Sequence, residues 1–581
     1  MNSDRFVWLR QYAPIALISA GILALTRPYL LGDTTTYAGQ IFDAASGHTG
    51  PPYVPLWEFG HLIWRPTGLL LYRALGPILP DWPLPWLKIV AGLIALNLLC
   101  AWIAALLFYS IAVRLGLSRW YATALAAGVL CLNAFLDYAH SGHSYVPAVM
   151  FLALATRMVL GAASAGSRAR AAGWAGLALG MSALLWFPYV LVFPAVVLLA
   201  AAWPAATPHT PAERWRVAAS LSLGAAVMLL AGYAIAIFAQ RLYSAAAIFA
   251  WLRDASHGIL PSPSLSRTGF GIARSIVYMD DGIQFKRFLL HDPYANVRLP
   301  ELLGASVGKL SLVCLFFVGL ALALVRDAAG RVALAATLTA ALPTLVFANF
   351  LFEPGQMERY LFLLPFLTVC LAMVLARPGT PFPLLAMMVV PLVAFTGWNL
   401  AAMWASTIHA KEEAVARRAG LLKPQWRPSS KVAVLNYQDE LVAFVETFPF
   451  HPLNRDPLRV FDIIEPSSVR VPTWRQEFAT EALAAWAESG DVWLTKRALA
   501  YQPRREWAWA EGVDPRVAWK ELPEFFSRLE IAADVGGEDG FVRLAPSAAN
   551  QEFLTGVGIL RSHPAARFLH AASGPPAPAA R

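Results

Sequence analysis

Apolar residues in this chain fall into long unbroken runs over most of residues 1–405. Runs of roughly 20 residues, the length that crosses a bilayer, stand at 11–31, 86–113, 120–137, 144–163, 217–240, 306–325, 331–352, 360–376 and 382–404. The stretch 172–203 is too long for one crossing and short for two. "WFPYV" (186–190) interrupts it, because Pro188 removes a helix donor, so the stretch is read as two short helices that go in and come back. The pattern predicts a polytopic α-helical membrane protein of about eleven transmembrane helices. One-faced patterning appears between the first two runs. Tyr37, Ala38, Ile41, Phe42 and Ala45 share one helical face, and a second short helix is expected within 61–76, "HLIWRPTGLLLYRALG". Trp57, Trp64, Tyr72 and Trp82 suit an interfacial aromatic belt. Residues 32–85 therefore read as an outer loop carrying two helices that lie on the membrane surface.

After residue 405 the material changes. The segment 406–570 is richer in charge and proline and has seven tryptophans: Trp426, Trp474, Trp486, Trp493, Trp507, Trp509 and Trp519. "KVAVLNY" (431–437) and "DVWLTKRAL" (491–499) read as buried strands, and "LEIAADVGGEDGFVRLAP" (529–546) as two strands around a Gly-rich turn. "QEFATEALAAWAES" (476–489) reads as a helix. The expectation is a C-terminal α/β domain ending in a disordered tail, 571–581.

Composition agrees with a membrane body. Of 581 residues, 57% are hydrophobic and 14% charged, where soluble domains carry about 25% charged residues. The net charge of +9 is not a nucleic-acid signal, since much of the excess sits in short loops between apolar runs. Those loops set the sidedness. Arg5 and Arg10, Arg114 and Arg119, Arg168 and Arg170, Arg214 and Arg216, Arg326 and Arg331, and Arg377 fall in alternate connections. Loop 138–143 has no Lys or Arg, and 353–359 has only Arg359. The positive-inside rule then puts the N-terminus in the cytoplasm. An odd number of crossings puts the C-terminal domain outside, with loops 32–85 and 241–305. The first run, with no small-residue cleavage site after it, reads as an uncleaved anchor. Cys100, Cys131, Cys314 and Cys370 all lie inside apolar runs without metal or disulfide spacing. Loop 241–305 carries Arg253, Arg267, Arg274, Lys286, Arg287 and Arg298, an excess that suits an anionic lipid.

Several residues at the outer ends of these runs carry candidate chemistry. Asp33, in "LLGDTTTYAGQIF" (30–42), is placed to cap the helix that follows or to act as a base at the membrane surface, and the two roles are compatible. Asp137, His140 and His143, in "FLDYAHSGHSY" (135–145), have a spacing that could hold a divalent metal ion; histidines of a short interfacial loop are the plainer reading. Arg65 either snorkels to the headgroups or offers its fork to a phosphate. Arg359 either pairs with the adjacent Glu358 or does the same. Glu58 and His61 face the same loop and could contact an acceptor or a metal.

In their order and sidedness these residues resemble the C-type (GT-C) glycosyltransferases, the family of the aminoarabinose transferases of lipid A and the protein O-mannosyltransferases. "GDTTTYAGQI" is similar to the family's acid-plus-tyrosine motif. "FGHLIWRPTGLLLY" (59–72) resembles its basic-residue-plus-proline stretch, with Arg65-Pro66 where Lys-Pro-Pro is usual. "FLDYAHSGHSY" sits where members have a second acid, and "PGQMERYLFLLPF" (354–366) is similar to a late Arg-Tyr…Leu-Pro motif. The resemblance covers most of 1–405 and leaves the tail outside. It implies a multi-pass enzyme of a bacterial inner (plasma) membrane. Such an enzyme takes a sugar from a polyprenyl-phosphate carrier and gives it, by inverting displacement, to a lipid, glycan or protein acceptor on the outer face. By the same resemblance Asp33 is the base, Asp137 a second acid positioning acceptor or metal, and Arg65 and Arg359 the phosphate contacts. The chemistry asks for such groups independently: a carboxylate to take the acceptor's proton and cations for the leaving phosphate. Two rival readings are a transporter or flippase of a lipid-linked sugar and a non-catalytic envelope-assembly protein. The first would place charges near the midplane, where this chain has few. The second predicts that Asp33→Asn is harmless.

Overall fold

The structure, a computed structural model, describes residues 3–28, 33–47, 56–80, 86–162, 168–203, 210–254, 263–279, 299–351, 354–427, 429–433, 462–464, 474–496, 499, 524–537 and 540–558. The helical body runs α1 (Ser3–Leu25), α2 (Thr34–Ala45), α3 (Trp64–Leu75), α4 (Leu87–Arg114), α5 (Arg119–Leu130), α6 (Asn133–Ala139), α7 (Tyr145–Ala162) and α8 (Arg168–Leu185). It continues with α9 (Phe193–Ala202), α10 (Pro211–Ala239), α11 (Ala245–Asp254), α12 (Leu265–Ile276), α13 (Leu299–Leu324), α14 (Ala328–Phe350), α15 (Leu363–Ala376), α16 (Phe382–Met403) and α17 (Ala405–Gly420). Among the described residues, α4, α10, α13, α14 and α16 contain the five helices long and apolar enough to cross a membrane. Shorter apolar helices lie at Gln11–Leu25, Tyr145–Gly161, Phe187–Ala202 and Leu363–Ala376. The chain is an integral membrane protein.

Two of the expected runs are broken, for different reasons. The run 172–203 breaks where "WFPYV" predicts, with α8 ending at Leu185 and a 3-10 segment, Phe187–Val192, leading into α9. The run 120–137 was expected to be a single span, but α5 and α6 are bent by 74°. No proline or glycine marks that bend. It stands because Asn399 of α16, fully buried, donates to the carbonyls of Cys131 and Ile276, each at 2.8 Å, and accepts from the Tyr278 amide at 2.7 Å. Within a bilayer every freed backbone group needs such a partner.

Helices α8 and α10 touch at their backbones. A Cβ on Gly176 would run into the Leu221 carbonyl, and one on Gly224 into the Gly173 carbonyl. Small residues let membrane helices associate closely where lipid is as apolar as any side chain.

The two ends of the body differ in chemistry. At one end Arg114 donates to the Gly161 carbonyl (3.0 Å), Arg168 faces Glu213 (3.9 Å), and Arg377 pairs with Asp327. These three arginines, each in a connection that the sequence reads as cytoplasmic, bond to a neighbouring helix end. At the other end, α1 and α16 meet at a bridge between Thr26 and Trp404, with the Arg27 amide donating to the Met403 carbonyl at 2.8 Å. Helices α2 and α3 form as expected, and α2 buries Thr34, Tyr37, Ala38 and Ile41 where it packs on α3 and α4.

The C-terminal unit contains a five-stranded sheet of order β2-β1-β3-β5-β4. Its strands are β1 (Lys431–Ala433), β2 (Asp462–Ile464), β3 (Val492–Thr495), β4 (Ile531–Val535) and β5 (Phe541–Leu544). β2, β1 and β3 are parallel, and β5 is antiparallel to β3 and β4. α18 (Trp474–Ala487) and α19 (Ala548–Val557) pack on it through a core that includes Phe478, Ala482, Phe526, Val542 and Leu554. The turn between β4 and β5 uses Gly536 and Gly537 at φ +85 and +62, a conformation glycine adopts without steric cost. Residues 434–437 of the first expected strand, and the tail 571–581, lie outside the described residues.

Candidate functional site

Four segments meet at the end of the body marked by the Thr26–Trp404 bridge: the start of α2, the residues leading into α3, the loop 140–144, and the one-turn helix Met357–Tyr360. The loop is the hub, and its backbone is tied down from three helices. Asn97 of α4, fully buried, donates to the carbonyls of Ser141 (2.5 Å) and His143 (2.7 Å). The Gly142 amide donates to Thr34 Oγ1 (2.8 Å), and the Gly142 carbonyl accepts from Trp64 Nε1 (2.7 Å). Trp64 is therefore buried and not part of an aromatic belt, because its N–H serves this loop. Removing Asn97 leaves two buried carbonyls without their donor, at about 1–3 kcal/mol each. Asn97→Leu is expected to lower the unfolding temperature in detergent, while Leu99→Ala, at an exposed position two residues on, leaves it unchanged.

Asp33 occupies the N-cap position of α2, but its carboxylate makes no cap bond. An aspartate there usually bonds the second or third amide of the helix, for about 1 kcal/mol. Here the Asp33 amide donates to His143 Nε2 at 3.1 Å. The carboxylate lies 3.9 Å from the same nitrogen, with its side chain 65% exposed. The sequence expectation of a cap is corrected at this point: the position is that of a cap, and the carboxylate is open to solvent.

The two arginines are buried and paired. Arg65 on α3 lies 2.5 Å from Glu58 and over the ring of Tyr37, at 5.0 Å. It does not snorkel. Arg359 lies 3.4 Å from Glu358, which is the local ion pair, and over Trp186 at 5.3 Å. The second oxygen of Glu358 accepts from the Tyr138 hydroxyl at 2.9 Å. The charges of Asp33, Glu58, Glu358 and Arg359 all act on Tyr145, and those of Asp33, Glu358, His61 and Arg359 on His143. Asp33, Glu58, His61, Arg65, His143 and Arg359 thus surround one tyrosine-lined spot. Asp137 is wholly buried on α6, where its charge acts on Tyr138.

The histidines serve the loop. His61 Nδ1 bonds Ser144 Oγ (2.7 Å) and the Leu185 carbonyl (3.1 Å), so that nitrogen carries the proton. Thr26 Oγ1 donates to the Ile22 carbonyl and so accepts from His140 Nε2 at 2.9 Å. Asp137, His140 and His143 do not fit a metal ion: His140 and His143 turn their Nε2 atoms to different partners. Among the described residues no three His, Cys, Asp or Glu side chains gather as a ligand set.

Burial lowers all three histidines, His140 and His143 to about 4. A histidine depressed in the folded state stabilises it fully above its unfolded pKa, about 6.5, and that contribution is lost as the pH falls through the folded value. The unfolding temperature in detergent is therefore expected to fall between pH 6.5 and about 4. It should fall less in His140→Gln, which keeps a donor for Thr26 and has nothing to protonate.

Sequence reasoning missed Asn97, Tyr138, Tyr145 and Trp186 as parts of this site. Tyr138 and Tyr145 stand inside the quoted loop motif, and Trp186 inside the helix-breaking "WFPYV"; only tertiary contact gives them a role.

No protein-family model and no curated protein matches the chain. Among solved structures it is similar to the oligosaccharyltransferase AglB of Archaeoglobus fulgidus in complex with an inhibitory peptide and a dolichol-phosphate. The TM-score is 0.42 and the identity 12%, over 94% of this chain and 75% of that one. It is also similar to ArnT from Cupriavidus metallidurans bound to undecaprenyl phosphate, with TM-score 0.44 and 11% identity, over 94% of this chain and 99% of that one. Both neighbours are C-type glycosyltransferases, the family that the sequence resembles.

Proposed function

We propose that the chain is an integral membrane glycosyltransferase. It takes a sugar from a polyprenyl-phosphate carrier and transfers it to a lipid, glycan or protein acceptor with inversion at the anomeric carbon. The observation that carries this reading is the state of Asp33: its carboxylate is not used by its own helix and stands open beside the group that holds two buried arginines. In the reaction the acceptor hydroxyl gives its proton to Asp33 as its oxygen bonds the anomeric carbon. The bond from that carbon to the phosphate oxygen breaks, the electron pair leaves with the phosphate, and Arg65 and Arg359 hold the resulting anion. Asp137 and the loop histidines keep the 140–144 loop in place beneath the reacting groups.

Eleven crossings fit the connectivity. α8 ends at Leu185, whose carbonyl meets His61 at the site end, and α10 begins beside Arg168 at the basic end. A crossing between them, through Phe187–Ala202, supports that count. With the arginine-rich loops in the cytoplasm, the site opens on the outer face of a bacterial inner membrane. The C-terminal domain, 406–570, stands on that same side and helps to hold the acceptor. The test is an assay of the purified protein with a panel of polyprenyl-phosphate sugars, wild type against Asp33→Asn. Transfer by wild type alone supports the reading. Equal transfer ends the role of Asp33, and no transfer with any donor overturns the reading in favour of a transporter.

A further inference from the structure

We propose that His143 is a positioning residue: its ring nitrogen holds the Asp33 amide and so keeps the Asp33 carboxylate off its own helix and open to substrate. This rests on the reading of Asp33 as the base. The ordinary fate of an aspartate at a helix start is to bond the free amides of the first turn. At Asp33 that bond is absent, and the backbone angles of −72 and 11 lie outside the extended range usual for a capping residue. What replaces it is the bond from the Asp33 amide to His143 Nε2 at 3.1 Å.

The ring is held at both nitrogens and on its faces, and its backbone is held as well. Nε2 accepts from an amide, so the ring is neutral with its proton on Nδ1, and Nδ1 bonds Ser141 Oγ at 3.0 Å. The Ser141 hydroxyl donates in turn to the Tyr138 carbonyl at 2.9 Å. The ring stacks on Tyr145 with centroids 5.1 Å apart and planes 16° apart. The edges of Tyr37 and Tyr138 close its sides, at 5.7 and 5.1 Å. Finally, Asn97 holds the His143 carbonyl. A ring so held is a rigid acceptor, and it meets α2 at Asp33, whose carboxylate is open.

Three variants test this. His143→Phe keeps a ring for Tyr145 and deletes the acceptor. It is expected to lower kcat by about tenfold to a hundredfold, the loss that misplacing a reacting group causes, with little change in the KM for the donor. His143→Gln, whose carbonyl can take the Asp33 amide, is expected to recover most of that loss. The second readout needs no turnover: labelling of Asp33 by a water-soluble carbodiimide and an amine, followed by mass spectrometry. Labelling should fall severalfold in His143→Phe, as the carboxylate drops onto the first-turn amides, and stay high in His143→Gln. If His143→Phe does not fold, Ser141→Ala, which releases the other side of the ring, is expected to lower labelling in the same direction. Unchanged labelling in a folded His143→Phe, or in Ser141→Ala where that stands in for it, or equal losses in Phe and Gln, would overturn the proposal. If wild type transfers no sugar, the enzyme reading fails while labelling still decides whether His143 places Asp33.

Discussion

Asp33→Asn is expected to lower sugar transfer by about 10²–10⁴-fold, the range a positioned general base supplies, with the unfolding temperature unchanged. The structure makes this substitution a clean one. The carboxylate makes no cap bond, its side chain is 65% exposed, and it stands 3.9 Å from the buried His143 ring, beyond hydrogen-bond distance. Asparagine is as good a residue as aspartate at a helix start, and the amide bond to His143 is made by the backbone and survives. What is lost is the ability to accept a proton at the edge of the site. The loss should appear in kcat, with the KM for the donor little changed, since the proposed reaction assigns the donor's phosphate to other groups. Wild-type rates in Asp33→Asn would remove Asp33 from the mechanism as its base.

The second large effect is expected at the Glu58–Arg65 pair. Both partners are buried and 2.5 Å apart. Deleting one partner of a buried pair strands the other charge, at about 3–5 kcal/mol, whereas replacing both with neutral residues is often nearly neutral. Glu58→Gln and Arg65→Met should therefore each lower the unfolding temperature strongly, and the double variant should regain most of it. Activity is expected to part from stability here. If Arg65 meets the leaving phosphate, the double variant is well folded but transfers poorly and needs more donor. A double variant as active as wild type would reduce Arg65 to a partner of Glu58. Arg359 has the same construction, with Glu358 on one side and Trp186 beneath it. In the proposed reaction the leaving phosphate would share a guanidinium that already has a carboxylate.

Much of the helical body was legible because crossing a bilayer demands length and apolarity, and both are local properties. The face of α2 was legible for the same reason: Tyr37, Ala38 and Ile41 are buried as their spacing predicts. The bend between α5 and α6 was not. Residues 130–133, "LCLN", contain no breaker, and the group that makes the bend tolerable is Asn399, far along the chain. The site was half legible. Asp33, Glu58, His61, Arg65, His143 and Arg359 do surround one spot, because loops on one side of a membrane must share it. Their pairing was less so. Glu358 next to Arg359 is visible in sequence, but the hydroxyl of Tyr138 on Glu358 and the ring of His143 on the Asp33 amide join segments whose closeness no spacing encodes. The cap at Asp33 was read from residue preference alone; a tertiary bond overrides it.

The dependence on Asn399 has a consequence for biogenesis. Membrane helices are synthesised in chain order, and among the described residues α16 is the last that is long and apolar enough to cross. Until it arrives, the Cys131 and Ile276 carbonyls and the Tyr278 amide lack the side chain that serves them, and Thr26 lacks the strand partner at Trp404. A nascent chain that stops before residue 382 therefore has that bend without the Asn399 side chain.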